Sequence, residues 1–196
     1  MSADSALPTF QLTPGASISQ AQHHRQQPVT ADSPALDVMT DLTQVKAATV
    51  SPRASLAQAE QTMIYQGVRL LFVVSEMPAV EGLITTVDLH GDKPVRLVNQ
   101  RGVHHDELCV ADVMTALTQL DAIDFALLSH AKVSNLVATL MKFGRHHLLV
   151  VESANGQAPW RIRGVVSKTQ VERQLGVQIE LTEIASNFAE IEKALS

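Results

Sequence analysis

Only one cysteine occurs in the 196 residues, Cys109, so no internal disulfide can form. Aromatic residues make up 4%, with one Trp and one Tyr, and the formal charge of −5 comes without a basic stripe. The stacking surface and the electrostatic footprint of a nucleic-acid binder are therefore both missing. No apolar run approaches the roughly 20 residues that span a bilayer, and the opening Met-Ser-Ala-Asp-Ser-Ala-Leu-Pro lacks the basic and apolar regions of a secretory signal. These absences predict a cytoplasmic chain with no nucleic-acid partner and no membrane insertion. What remains is 45% apolar and 18% charged, the balance of a globular protein. Its length allows one domain or two small ones sharing an interface.

Residues 1–33 are rich in Ser, Thr, Gln, Pro and Ala and have no helical or strand period, so they read as a disordered arm outside the fold. His23, His24 and Arg25 within it read as solvated rather than as a metal or phosphate site. The organising feature comes next. Asp37-Val38-Met39-Thr40 recurs letter for letter as Asp112-Val113-Met114-Thr115, and each copy opens the same series of patterns.

In the first copy, 34–100, a short strand is expected over Val45 to Val50, then a helix opened by a Ser55/Gln58 capping box with Leu56, Ala59 and Met63 on one face. Gly67 ends it, and Arg69 to Val74 follows as a nearly continuous apolar strand, which needs cover on both faces. Met77-Pro78 supplies a turn, Val80 to Thr85 an antiparallel strand, and Thr86 onward a short helix interrupted by Gly91. In the second copy, 101–176, the helical stripe is Val133, Leu136, Val137, Leu140 and Met141, capped by Gly144, and the buried strand is His147 to Val151. The second hairpin is longer, with a surface insertion around Asn155-Gly156 and Pro159-Trp160, and Trp160 is expected to pack over the sheet edge.

Beyond these copies, 177–196 carries Leu181, Ile184, Phe188, Ile191 and Leu195 at helical spacing, a stripe that packs on its own domain or forms a dimer contact. His104-His105-Asp106-Glu107 with Cys109 groups metal-binding residue types, but neighbouring side chains diverge on a helix or a strand, so a solvated linker is expected there and no metal site. No nucleophile-base pattern or Gly-rich phosphate loop occurs elsewhere, so no catalytic residue and no cofactor is assigned.

Two copies of Asp-x-Met-Thr, each followed by a capped helix, together with Gly-Val-Arg-Leu-Leu-Phe-Val-Val and Gly82-Leu83-Ile84-Thr85-Thr86-Val87-Asp88, resemble the CBS domain family, named after cystathionine β-synthase. The likeness covers about Ala35 to Leu175. It implies an α/β fold (α+β in some schemes) of two β-α-β-β-α repeats packed about a pseudo-two-fold axis, a stand-alone tandem pair or Bateman module, with a C-terminal amphipathic helix added. It also implies a homodimer that is not an enzyme and binds an adenosine-containing ligand, AMP, ADP, ATP or an S-adenosyl compound, between the repeats to regulate a separate enzyme or transporter. The alternative is a ligand-free dimeric scaffold for such a partner.

The family's ligand signature places Gly82, Thr85 and Asp88 at the site, with Thr86 at the helix start and Arg69, His146 and His147 as basic residues at the strand starts. Independently of the resemblance, a Gly at a strand end permits close backbone approach, free N–H groups at a helix start favour an anion, and two carboxylate oxygens suit a ribose. The purely structural alternative is that Thr85 caps the helix while Asp88 complements its dipole. The second copy reads Gly164-Val165-Val166-Ser167-Lys168-Thr169-Gln170 and lacks the acid, so Ser167, Lys168 and Gln170 make a weaker site.

Overall fold

The computed structural model describes residues 29–153 and 159–180. The polar arm over 1–28, the Asn155-Gly156 insertion and the Leu181 to Leu195 stripe lie outside the described residues. Eight strands occur in chain order: β1 (Met39–Asp41), β2 (Thr49–Val50), β3 (Leu70–Val73), β4 (Gly82–Thr85), β5 (Thr115–Ala116), β6 (Ala122–Asp124), β7 (His147–Glu152) and β8 (Arg161–Ser167). The helices are α1 (Leu56–Gln66), α2 (Thr86–His90), α3 (Asp92–Arg101), α4 (Val110–Val113), α5 (Phe125–Leu128), α6 (Val133–Phe143) and α7 (Lys168–Leu175).

Local signals account for most of these elements. Ser55 and Gln58 close a reciprocal capping box at the start of α1, and Leu56, Ala59 and Met63 are buried by its apolar stripe. Gly67 and Gly144 end α1 and α6 with φ of 65° and 59°, a conformation that costs any other residue.

The strands form two four-stranded sheets in the orders β2-β3-β4-β5 and β6-β7-β8-β1. Equivalent strands take equivalent places except at one edge, where the repeats exchange. The Met-Thr of the first repeat pairs with β8 of the second, Met39 opposite Val166, and the Thr of the second pairs with β4 of the first, Thr115 opposite Leu83. The exchange extends upstream of each strand. Ala35 donates its N–H to Ala131 O, and Val110 donates its own to Ala54 O, both at 2.9 Å. Ala35 and Val38 are buried in the second repeat's core, and Val110 and Val113 in the first's. Each repeat is thus completed by the segment that opens the other, which ties the two into one cooperative structure.

That exchange explains two departures from the sequence reading. The strand expected over Val45 to Val50 is reduced to Thr49–Val50, with Val45 49% exposed, because the chain must cross from one sheet to the other between β1 and β2. The N-terminal arm expected over 1–33 is not wholly outside the fold. Val29 is buried, and Ala31 and Ser33 accept the N–H groups of Ser134 and Val133, satisfying donors that the first turn of α6 leaves open. A smaller departure is Met141, 44% exposed rather than part of the buried stripe.

Both apolar strands are covered on both faces, as their composition requires. Leu71, Val73 and Ile84 face α1, whereas Leu148, Val150 and Val166 face α6 and α7. Between the sheets, Phe72, Val74 and Leu83 meet Leu149 in a third, shared core. Met141 aside, every long apolar side chain predicted to be inside at these strands and helices contributes to one of the three clusters or packs against it.

Candidate functional site

The first repeat's signature sits where β4 runs into α2. Gly82 permits a close approach, but what approaches is another strand: a Cβ there would lie 2.3 Å from Thr115 O. Gly164 does the same for the second repeat, where a Cβ would lie 2.7 Å from Thr40 O. The glycines of the signature therefore admit the exchanged edge strands.

Thr85 and Asp88 form a closed capping box. Thr85 N–H donates to Asp88 Oδ2 at 2.8 Å, its hydroxyl donates to the same oxygen at 2.7 Å, and Asp88 N–H returns to Thr85 Oγ1 at 3.3 Å. This satisfies the structural role that the sequence left open for these residues. Asp88 Oδ1 takes no hydrogen bond from a described residue. The helix start is less open to an anion than expected, because Thr86 N–H donates to Arg69 O at 3.1 Å and α2 has only five residues. A macrodipole that short is weak.

The structure brings Asp88 together with the histidines of the other repeat. Its charge bears on both His146 and His147 and favours their protonation. Burial wins over it. His147 is half-buried and is held at about 4, well below the usual imidazole value of 6.5, by desolvation first and by His146 second. His146 is more exposed and is lowered by partial burial and then by the Lys168 ammonium, against the pull of Glu172 and Asp88. Both rings are therefore neutral near pH 7. Arg69 is exposed and makes no ion pair with a described residue. Its counterpart is His146 alone, because His146 O accepts Lys168 N–H as Arg69 O accepts Thr86 N–H. His147 is the register equivalent of Leu70, since Leu70 faces Thr85 and His147 faces Ser167.

The second signature uses its side chains differently. Ser167 makes no side-chain cap at the start of α7. Gln170 Oε1 accepts from Thr40 Oγ1 at 3.2 Å, so it binds the exchanged edge strand. Lys168 donates to Glu172 Oε1 at 2.6 Å, and both side chains are under 20% exposed. Glu172 Oε1 also receives the Ile179 N–H at 2.7 Å, and together these donors keep the Glu172 carboxyl below its usual value against the cost of burial.

Two residues that belong to this neighbourhood were missed by the sequence reading. Lys93 on α3 donates to Val113 O and Met114 O at 2.8 and 2.9 Å, fastening the second Asp-Val-Met-Thr beside Asp88; burial lowers its pKa, against Asp88. Glu172 is the other. No motif marks either position: Lys93 acts on carbonyls about twenty residues away, and the Lys168/Glu172 spacing of four is one that any helix surface shows. The His104 to Glu107 stretch forms an exposed 3-10 turn closed by Glu107 on His104 N–H at 2.8 Å, and among the described residues no three His, Cys, Asp or Glu side chains converge on a metal position. No helix among them is long and apolar enough to cross a membrane.

No protein-family model and no curated protein matches the chain. Solved structures do. The chain is similar to an uncharacterized conserved protein from Pyrococcus horikoshii, with a TM-score of 0.53 and 19% identity over 79% of this chain and 100% of that one. It is also similar to a CBS-domain containing protein from Agrobacterium tumefaciens, with a TM-score of 0.51 and 18% identity over 80% and 98%. At these identities the likeness is one of fold.

Proposed function

Because the chain has the fold of a tandem CBS pair, we propose that it is a non-catalytic regulatory module binding an adenosine-containing ligand, AMP, ADP, ATP or an S-adenosyl compound, between its repeats. One observation carries this reading: Asp88 of the first repeat stands within electrostatic reach of His146 and His147 of the second, on a helix whose first residue, Thr86, donates its N–H to Arg69 O. The free oxygen of Asp88 is an acceptor for ribose hydroxyls, and the three basic side chains suit a phosphate. The neutral histidines become useful on binding, since an incoming phosphate raises their pKa. Binding then takes up protons and strengthens as pH falls below 6.5, the histidines of the free protein protonating only at lower pH.

In the cell such a module would pass its state to a separate enzyme or transporter, as a homodimer in the cytoplasm. The rival reading, a ligand-free scaffold, is favoured by the capping box, which occupies Thr85 and half of Asp88 without any ligand. A thermal-shift panel separates the two, because a ligand that binds only the folded state must stabilise it. At 100 times Kd the gain is about 2.7 kcal/mol, or about 5–10 °C in Tm for a chain of this size. A shift with one or more adenosine compounds and none with the guanosine analogues supports the module. No shift with any adenosine compound leaves the scaffold.

A further inference from the structure

The gap between the two sheets is not filled along its whole length. At the hairpin ends of β3 and β7, the ends away from Arg69 and His146, it widens into a cavity of about 1140 Å³. Its walls come from both repeats in matched pairs, Phe72 and Val74 against Leu149 and Val151. Met77 and Trp160 at its mouth are 69% and 47% exposed, so Trp160, expected over the sheet edge, lines a cavity. None of Arg69, Thr85, Asp88, His146 and His147 lines it. An apolar cavity at an interface between two units, with a few polar groups, is the usual form of a small-molecule site, and exposed apolar side chains at its mouth gain from being covered.

Charge then selects the ligand. Two charged side chains line the cavity, Asp124 and Arg161. Arg161 is paired with Glu152. Asp124 accepts the Ala126 N–H on Oδ1 at 2.7 Å and has no cationic partner among the described residues. Its charge is not needed for that turn, because in the first repeat the neutral Ser51 takes the Arg53 N–H in the same way. An unpaired carboxylate at an apolar wall favours a cation whose body is itself apolar.

We propose that this cavity binds an amphipathic organic cation, with an apolar, ring-bearing body between the sheets and an ammonium group on Asp124. The site is separate from the Asp88 neighbourhood, and the proposal stands whether or not an adenosine ligand binds there. Trp160 is the single tryptophan of the chain, so its emission reports on the cavity mouth. The full-length protein is titrated with 4-phenylbutylamine and with 4-phenylbutyrate, which share one body and carry opposite charge. The amine should change the emission saturably and bind at least about tenfold tighter than the acid. Asp124→Asn keeps the acceptor for Ala126 and the fold, and should weaken amine binding about tenfold and abolish the preference. Equal affinity for the two compounds, unchanged amine binding in Asp124→Asn, or no saturable change would overturn the proposal.

Discussion

The two repeats differ most at the start of the helix that follows their signature. In the first, where the motif is complete, Thr85 and Asp88 turn inward and cap each other. In the second, where the acid is missing, Ser167 caps nothing, Gln170 reaches Thr40, and Lys168 is held by Glu172. The difference teaches that the atoms a helix cap uses are those that the proposed ligand would need. A ligand at the first repeat must use the one oxygen of Asp88 that the cap leaves over, and a ligand at the second must first separate Lys168 from Glu172. The second comparison lies one strand away, where His147 occupies the register position of Leu70 and gives only the second repeat a half-buried titratable group.

The largest expected effect tests the exchanged strands. Gly82→Ala puts a Cβ against backbone, 2.3 Å from Thr115 O, whereas at Gly164 part of the crowding comes from the movable Met39 side chain. Urea unfolding should show a loss of about 3 kcal/mol for the first and about 1–2 kcal/mol for the second, both in the range of overpacked sites. Equal losses would mean that both edges relax alike and that the first is not the tighter seam.

A middle-sized effect separates the two helix starts. Thr85→Ala removes a formed cap and should cost about 1 kcal/mol, while Ser167→Ala removes no cap bond and should change stability by less than about 0.5 kcal/mol. Matching costs would show that Ser167 caps α7 in solution.

A third effect is the pH dependence that His147 confers. Its folded pKa, about 4, lies below the unfolded value near 6.5, so between those values the unfolded chain binds more protons and stability falls as pH is lowered through this window. The stabilising contribution is lost at acid pH, not gained. His147→Leu, which installs the first repeat's residue, should flatten the stability profile between pH 6.5 and 4. A slope unchanged by the substitution would place that titration elsewhere.

Much of this architecture was legible in the sequence because its causes are local. The Ser55/Gln58 box, the glycines that end α1 and α6, and the apolar strands over Leu70 to Val73 and Leu148 to Val150 each follow from a few adjacent residues. The doubled Asp-Val-Met-Thr disclosed the repeat. It did not disclose that each copy is inserted in the other's sheet, since pairing of Met39 with Val166 depends on residues far apart in sequence. Of the site, the position of the Thr85/Asp88 signature was legible, and the choice between cap and ligand was not, because both readings ask for the same side chains at the same spacing. The lowered pKa of His147 was hidden too, since burial is a property of the assembled sheets.

The central claim is that Asp88, acting with basic residues of both repeats, holds an adenosine ligand that the second signature cannot hold as well. Calorimetric titration of the adenosine compound selected by thermal shift into the unaltered protein, Asp88→Ala and Gln170→Ala tests it directly. A lost charged hydrogen bond of about 1.5–3 kcal/mol predicts a ten- to hundred-fold weaker affinity for Asp88→Ala and a change below about threefold for Gln170→Ala. Equal small losses in the two variants, or no heat with the unaltered protein, would contradict it.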